Sequence, residues 1–261
     1  MTNPVLPPRT GGALLVVALL SLAASGAEPC AKDGVLLFPA PGAVVPTNVQ
    51  FIIQGTGEAQ AKVQGLLQSN AIALVAAGKD AIPVKAEKGF VSQVSRVAIR
   101  LRPLKPLEPN VEYSLALPPE LAGVRLLNDQ LGDGSLRWLA GVGPDKRSPK
   151  YKERPSSSEG FYEQDKAGGL TRKLRLRALI EESSPAWLLV SMQRARGGSA
   201  RQQFPVALEG DTFTIGHDAC SGNFGFDDGR AYTLSIELFD AAGNKAAERT
   251  RIEVAAPRPL H

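Results

Sequence analysis

Apolar and charged residues alternate along much of this chain. From Arg96 to Arg102 it reads Arg-Val-Ala-Ile-Arg-Leu-Arg, which sets Val97, Ile99 and Leu101 on one side and three arginines on the other. Lys173 to Arg177 repeats the pattern, with Leu174 and Leu176 on the apolar side and Ala178 and Ile180 continuing it. A period of two is that of a β-strand with one buried face. Sheets written this way bury their apolar faces most cheaply against another sheet. Turn-forming residues recur between the alternating runs, at Pro39 to Gly42, Pro103 to Asn110, Asn128 to Gly134, Asp227 to Gly229 and Ala242 to Asn244. Such punctuation points to an all-β sandwich or barrel without long helices.

Two stretches depart from period two. Gly57 to Asn70 places Ala59, Val63, Leu66 and Leu67 near one helical face, although Gly65 weakens a helix there. Ala116 to Leu127 carries Pro118, Pro119 and Glu120, which suit either a helix start or a loop with one short turn.

An internal repeat divides the chain. Leu107-Glu108-Pro109-Asn110-Val111-Glu112 leads into Tyr113-Ser114-Leu115-Ala116-Leu117, and Asp227-Asp228-Gly229-Arg230-Ala231 leads into Tyr232 and the alternation that follows it. A tyrosine that opens a strand after a turn can pack its ring inward and return its hydroxyl to the turn backbone, the tyrosine corner of Greek-key sandwiches. The expected fold class is therefore all-β, with two tandem immunoglobulin-like β-sandwich domains over residues 28–142 and 161–256 and a tail at 257–261. Residues 143–160, with Pro144, Pro149, Pro155 and a serine run, read as a linker or an edge strand, since an edge tolerates proline.

The N-terminus has the order of a secretory signal peptide over residues 1–27: Arg9, an apolar run from Ala13 to Ala24 broken at Ser21, then Ser25-Gly26-Ala27. A run of this length falls short of the roughly 20 apolar residues that span a bilayer, so no transmembrane anchor is expected after cleavage. Cys30 follows Ala27-Glu28-Pro29 and lacks the Leu-small-small box of a lipoprotein. Export to the periplasm, the cell surface or the medium is the expectation. It sets nucleic acid aside as a partner, and loss of Arg9 would lower the formal charge from +4 to +3. The chain has two cysteines, Cys30 and Cys220, and an oxidising compartment favours pairing them as a disulfide, two unpaired buried thiols being the alternative.

The N-terminal half, through Pro39-Ala40-Pro41-Gly42-Ala43-Val44-Val45-Pro46-Thr47-Asn48 and the later Leu107 to Leu117, resembles bacterial Ig-like domains of surface-layer and other exported proteins. The second half, from Tyr232 to Val254 with the turn Asp240-Ala241-Ala242-Gly243-Asn244, looks like another such module. Gly216 to Phe224 is similar to a cysteine-containing loop of exported proteins of predatory soil bacteria, and no activity comes with that likeness. The resemblance implies a fold and hardly a function.

The residues that could carry chemistry are few. His217, Asp218 and Cys220 supply a base, an orienting acid and a nucleophile, but neighbours on one loop seldom converge on one point. Two cysteines, two histidines and two methionines give too few soft ligands for a zinc or copper centre. Calcium asks only for converging oxygens, and Asp211, Asp218, Asp227, Asp228 and Asp240 are its candidates in the second half; turn formation is the plainer use of an aspartate. No catalytic residue, cofactor or metal ligand is assigned on this reading.

The expected function is that of an exported, non-enzymatic binding or interaction protein of the cell envelope. Phe161, Tyr162, Phe224 and Phe226 are the candidate binding surface, and an envelope protein or an anionic polymer is the partner. Lys146, Arg147, Lys150, Lys152 and Arg154, followed by Lys173, Arg175, Arg177, Arg194, Arg196 and Arg201, would attract the polymer if they align; such charges more often form the solvated face of strands. The alternatives are an accessory part of a surface assembly and an enzyme with a site at the domain junction.

Overall fold

The computed structural model describes residues 33–259 except Ala167, Ser183, Gly197 and Ser199. The expected signal peptide and Cys30 lie outside the described residues.

The fold is all-β, with immunoglobulin-like sandwiches as the architecture. The first half contains β1 (Gly34–Phe38), β2 (Val44–Val45), β3 (Phe51–Thr56), β4 (Ala73–Val75), β5 (Ile82–Val91), β6 (Arg96–Pro103), β7 (Glu112–Ala116) and β8 (Arg137–Ala140). Their order is β1-β3-β6-β5-β4-β7-β8-β2. β5 joins the two layers: its first residues, Ile82 and Pro83, pair with β4, and Val84 onward pairs with β6. Between the layers Phe51 of β3 meets Trp138 of β8 with ring centroids 4.8 Å apart. Trp138 is buried and satisfies its indole N–H on the carbonyls of Pro39 and Ala40.

α1 (Ala59–Gly65) follows β3, and one 3-10 turn, Leu66–Gln68, continues it. Ala59, Val63 and Leu66 enter the core. Leu67 does not: the tighter winding turns it outward and leaves it exposed. Pro119–Leu121 forms a single 3-10 turn and no longer helix.

The second half holds β9 (Lys150–Gln164), β10 (Leu170–Glu181), β11 (Ala186–Arg194), β12 (Gln202–Ala207), β13 (Thr212–His217), β14 (Ala231–Asp240) and β15 (Lys245–Ala255). One sheet has the order β13-β10-β9 and the other β12-β11-β14-β15. Strand β9 already begins at Lys150, so residues 150–160 belong to the second sandwich. It lies at the edge of its sheet, and its pairing with β10 shifts register near Pro155, whose missing N–H an edge tolerates.

The two corner tyrosines are built alike. Tyr113 accepts the Glu108 N–H at 3.2 Å, and Tyr232 accepts the Asp227 N–H at 2.7 Å. Three residues before each tyrosine the backbone is left-handed, at Asn110 (φ 60) and Gly229 (φ 65). Six residues before it an apolar side chain is buried, Leu107 in one half and Phe226 in the other.

The halves pack directly on one another. All six residues of β3 are buried because it is covered on both faces. Phe51 and Ile53 look into the first sandwich, while positions 50, 52 and 54 run along the second half. Gln50 donates its backbone N–H to Ala241 O at 2.7 Å and its side-chain amide to Ala242 O at 3.2 Å; Gln54 donates to Pro205 O at 3.2 Å. The linker is held from both sides, since Asn48 exchanges two hydrogen bonds with the Asp145 backbone and Asn244 donates to Asp145 O.

Candidate interdomain cleft

Period-two alternation on β9 and β10 decides what faces the space between the halves. Leu174 and Leu176 point into the second sandwich and turn Lys173 and Arg175 the other way. Register then sets Phe161 beside Lys173 and Glu159 beside Arg175. Gly216 and Thr214 of β13 flank the same two cations from the opposite side. The first half supplies Leu36 to Phe38 of β1, Gln54, Arg96, Asn128 and Gln130. Together they bound a cleft of about 720 Å³.

Its charges are arranged in pairs. Lys173 Nζ lies 3.1 Å from Asp218 Oδ2, and Arg175 lies 3.4 Å from Glu159. Arg96 reaches Ser221 Oγ at 3.4 Å; burial pulls its guanidinium below the ordinary arginine value, with Asp218 opposing the shift. Ser92 Oγ donates to Gly222 O and Gly222 N–H to Val94 O, both at 2.7 Å, which fixes the floor across the two halves. Asn128 grips both backbone groups of Leu37. Phe161 stands at the rim with 47% of its surface exposed. The cleft thus offers carboxamides, paired charges and one apolar ring, the mixture suited to orienting a polar ligand with an apolar face.

The four aromatic residues expected to form a binding surface are not brought together. Phe161 is exposed and Tyr162 is half-buried, its ring 5.4 Å from the Arg172 guanidinium. Phe224 and Phe226 are core residues. Phe224 is drawn in because its loop folds back on β13: Asn223 accepts the Gly216 N–H and donates to Thr214 O, and Gly222 approaches Gly216 O so closely that a Cβ would sit 2.3 Å from it. Phe226 occupies the buried position ahead of the tyrosine corner and meets the Tyr232 ring edge-on at 5.3 Å.

His217 ends β13, and Asp218 and Cys220 lie in the turn that follows it. Asp218 Oδ1 accepts the N–H groups of Cys220 and Ser221, and its other oxygen serves Lys173. The expected Cys30–Cys220 pairing involves a residue outside the described ones.

Four of the five aspartates weighed for calcium face cations instead: Asp211 meets Arg177, Asp218 meets Lys173, Asp227 meets Arg194 and Asp228 meets Arg172. Arg172 is a buried charge that alternation alone does not announce, since its neighbours Leu174 and Leu176 share its inward face. It donates to Phe226 O at 2.9 Å and pairs with Asp228, as a buried cation must. Asp240 alone joins other acids. Asp145, Glu182 and Asp240 bring carboxylate oxygens within 4.8 Å of one another at the domain junction, close enough for one hard cation to reach all three. Burial pushes the Asp240 carboxyl up; the Asn244 donors oppose this, and Asp145 and Glu182 add to it. Asp145 and Glu182 escape a reading of the sequence because 95 residues separate Asp145 from Asp240.

Several of the basic residues sit on separate carboxylate partners, Arg154 on Glu248, Arg177 on Asp211 and Arg194 on Asp227.

No protein-family model matches the chain, and no curated protein is significantly similar to it in sequence. Among solved structures it is similar to pullulanase type I from Bacillus subtilis str. 168 complexed with maltose, at 9% identity and a TM-score of 0.25, over 88% of this chain and 27% of that one. It is also similar to a cytokine receptor complex (12% identity, TM-score 0.26, 83% of this chain and 96% of that one). A third likeness is to the FN1-FN3 domains of chicken CNTN1 (10% identity, TM-score 0.25, 87% of this chain and 65% of that one). Likenesses this distant carry no argument about function.

Proposed function

We propose that this chain is an exported, non-catalytic binding protein of the bacterial cell envelope and that the interdomain cleft is its ligand site. The observation that carries the reading is an opening of about 720 Å³ lined by both halves with Phe161 uncovered at its rim. Rigid sandwiches hold the walls, and the hydrogen bonds of Ser92, Gly222 and Gln54 across the junction fix their spacing, so little ordering would be needed on binding. Export rests on the N-terminal signal, and the Cys30–Cys220 disulfide would tie the mature N-terminus to the second sandwich.

The test is an amide-resonance titration of the mature protein with soluble envelope glycans and with extracts of envelope proteins. A ligand of this cleft shifts Asn128, Gln130, Lys173 and Asn223 together, and F161A weakens it about tenfold, the loss of roughly one aromatic contact. The melting point of F161A stays near that of the wild type, because half the ring is already in water. Shifts confined to any other face would sink the reading.

A second reading, an accessory part of a surface assembly, is favoured by one feature. Val44 and Leu139 are paired across β2 and β8 at the open edge of the first sheet, and Val142 follows two residues beyond β8; all three are exposed, Val142 at 88%. An uncovered apolar edge is where another chain would dock. The enzymatic reading would need several shifted ionisable groups converging in the cleft. Burial displaces the ionisation of one lining residue, Arg96, and the orienting acid and nucleophile such a site needs are not assigned.

A further inference from the structure

The outer face of the β12-β11-β14-β15 sheet carries a second concavity, of about 480 Å³, walled by Arg201, Arg249 and Arg251 over a floor of Ser191, Thr233 and Ser235. Register explains the convergence. Ser191 of β11 lies opposite Ser235 of β14, which lies opposite Arg251 of β15, so the three form one row across neighbouring strands. Strands in a sheet run about 4.8 Å apart, which sets the two hydroxyls and the Arg251 stem side by side on one face. Arg249 is two residues from Arg251 on that face, and Arg201 reaches in from the start of β12.

The three arginines are exposed, but the floor on which they converge is not. Ser191 and Thr233 point outward from the sheet yet are only 4% and 8% exposed. Arg201 donates to Ser191 Oγ at 2.7 Å and Arg249 donates from Nε to Ser235 Oγ. Each guanidinium has five N–H donors, so most remain unspent on the floor. Among the described residues Arg201 and Arg251 make no ion pair, and Arg249 has Glu237 at 3.7 Å. Arg201 and Arg251, like charges beside one hollow, repel one another unless an anion joins them. The contrast with Arg154, Arg175, Arg177 and Arg194, each matched to a carboxylate, is internal to the same half.

We infer that this hollow binds a phosphate monoester. Forked guanidinium donors match the oxygen edges of such a group, and hydroxyls complete the hydrogen bonds to its remaining oxygens. Arg201 and Arg251, two cations without a carboxylate, balance the two charges of a phosphate monoester, whereas a neighbouring carboxylate would cancel one of them. The site stands apart from the interdomain cleft and does not depend on it.

The experiment uses the mature full chain and two probes, glycerol phosphate, which carries the ester free in solution, and vesicles containing phosphatidic acid, which carry it on a surface. Saturable shifts of the Ser191, Thr233 and Ser235 amides with glycerol phosphate, weakened about tenfold or more in R201Q/R251Q, are the expected result. R154Q/R177Q removes the same charge elsewhere on the second half and leaves the affinity within about twofold. Should the double variant melt early, R251Q alone serves, since its side chain holds no ion pair in the fold. Vesicle binding that glycerol phosphate displaces also sustains the site and identifies a headgroup as the source. Vesicle binding that glycerol phosphate does not displace, equal weakening in R154Q/R177Q, or the absence of saturation overturns it.

Discussion

Tyr232 and Asp227 hold each other twice: the Tyr232 hydroxyl accepts the Asp227 backbone N–H at 2.7 Å and donates to its Oδ2 at 2.8 Å. Tyr113 makes the backbone half of this arrangement with Glu108, also five residues upstream. Removing the hydroxyl leaves a turn N–H without its acceptor, which costs about 1 to 2 kcal/mol. Y232F and Y113F are each expected to lower stability by that amount, with Y232F the larger because it loses two bonds. Trp187 of the second sandwich and Trp138 of the first, both buried, report unfolding in urea by their fluorescence, and an unchanged midpoint for Y232F would remove the corner from the account.

The left-handed position in the same turn makes a sharper test. Gly229 and Asn110 hold nearly the same φ, 65 and 60, three residues ahead of their tyrosines. Asparagine tolerates this region and β-branched residues do not. G229N should therefore cost less than about 1 kcal/mol and G229V clearly more, as read from urea midpoints. Equal losses would mean that the turn adjusts to whatever residue it is given.

Asp240 predicts a pH dependence of definite sign. Burial, reinforced by Asp145 and Glu182, raises its folded-state pKa above the ordinary carboxylate value despite the Asn244 donors. Between the unfolded and folded values the native state binds the extra proton, so stability falls as pH rises through that window. The wild type should lose stability relative to D240N across it, with a constant difference below and above. E182Q should narrow the window by bringing the folded value down. A difference that changes the opposite way with pH would show that the Asn244 donors outweigh the burial.

The depressed Asp227 carboxyl acts in the other direction. Its hydrogen bond from Tyr232 comes first among the causes, followed by that from Arg194. Its contribution is present above the unfolded carboxylate value and is lost as pH falls through the lower folded one. In acid, D227N should therefore converge on the wild type in denaturant midpoint, whereas at neutral pH it should be the less stable protein. A constant gap would detach the carboxylate from the corner's stability.

Export and the disulfide are open to one direct measurement, the intact mass of the mature protein with and without reduction. A chain starting near Glu28 that gains two protons on reduction is the expected outcome. An unprocessed N-terminus would undo export, and two alkylatable thiols without reduction would undo the disulfide.

What the sequence determined by itself is local. Alternation placed Val97, Ile99, Leu101, Leu174 and Leu176 on buried faces, and the turns that lead into Tyr113 and Tyr232 specified two corners, because each signal lies within one strand or one turn. Pro155 limited its stretch to a linker or an edge strand for the same reason, a missing N–H that an edge leaves unneeded. The tertiary structure decided the rest. Phe226 looks like a loop aromatic until the corner claims it for the core, and Arg172 shares the spacing of its inward leucines although it carries a charge. The cleft, the junction of Asp145, Glu182 and Asp240, and the arginines at 201, 249 and 251 depend on which strands become neighbours and in what register. Period two records which side of its own strand a residue occupies; it holds no record of the residue that pairing will set beside it.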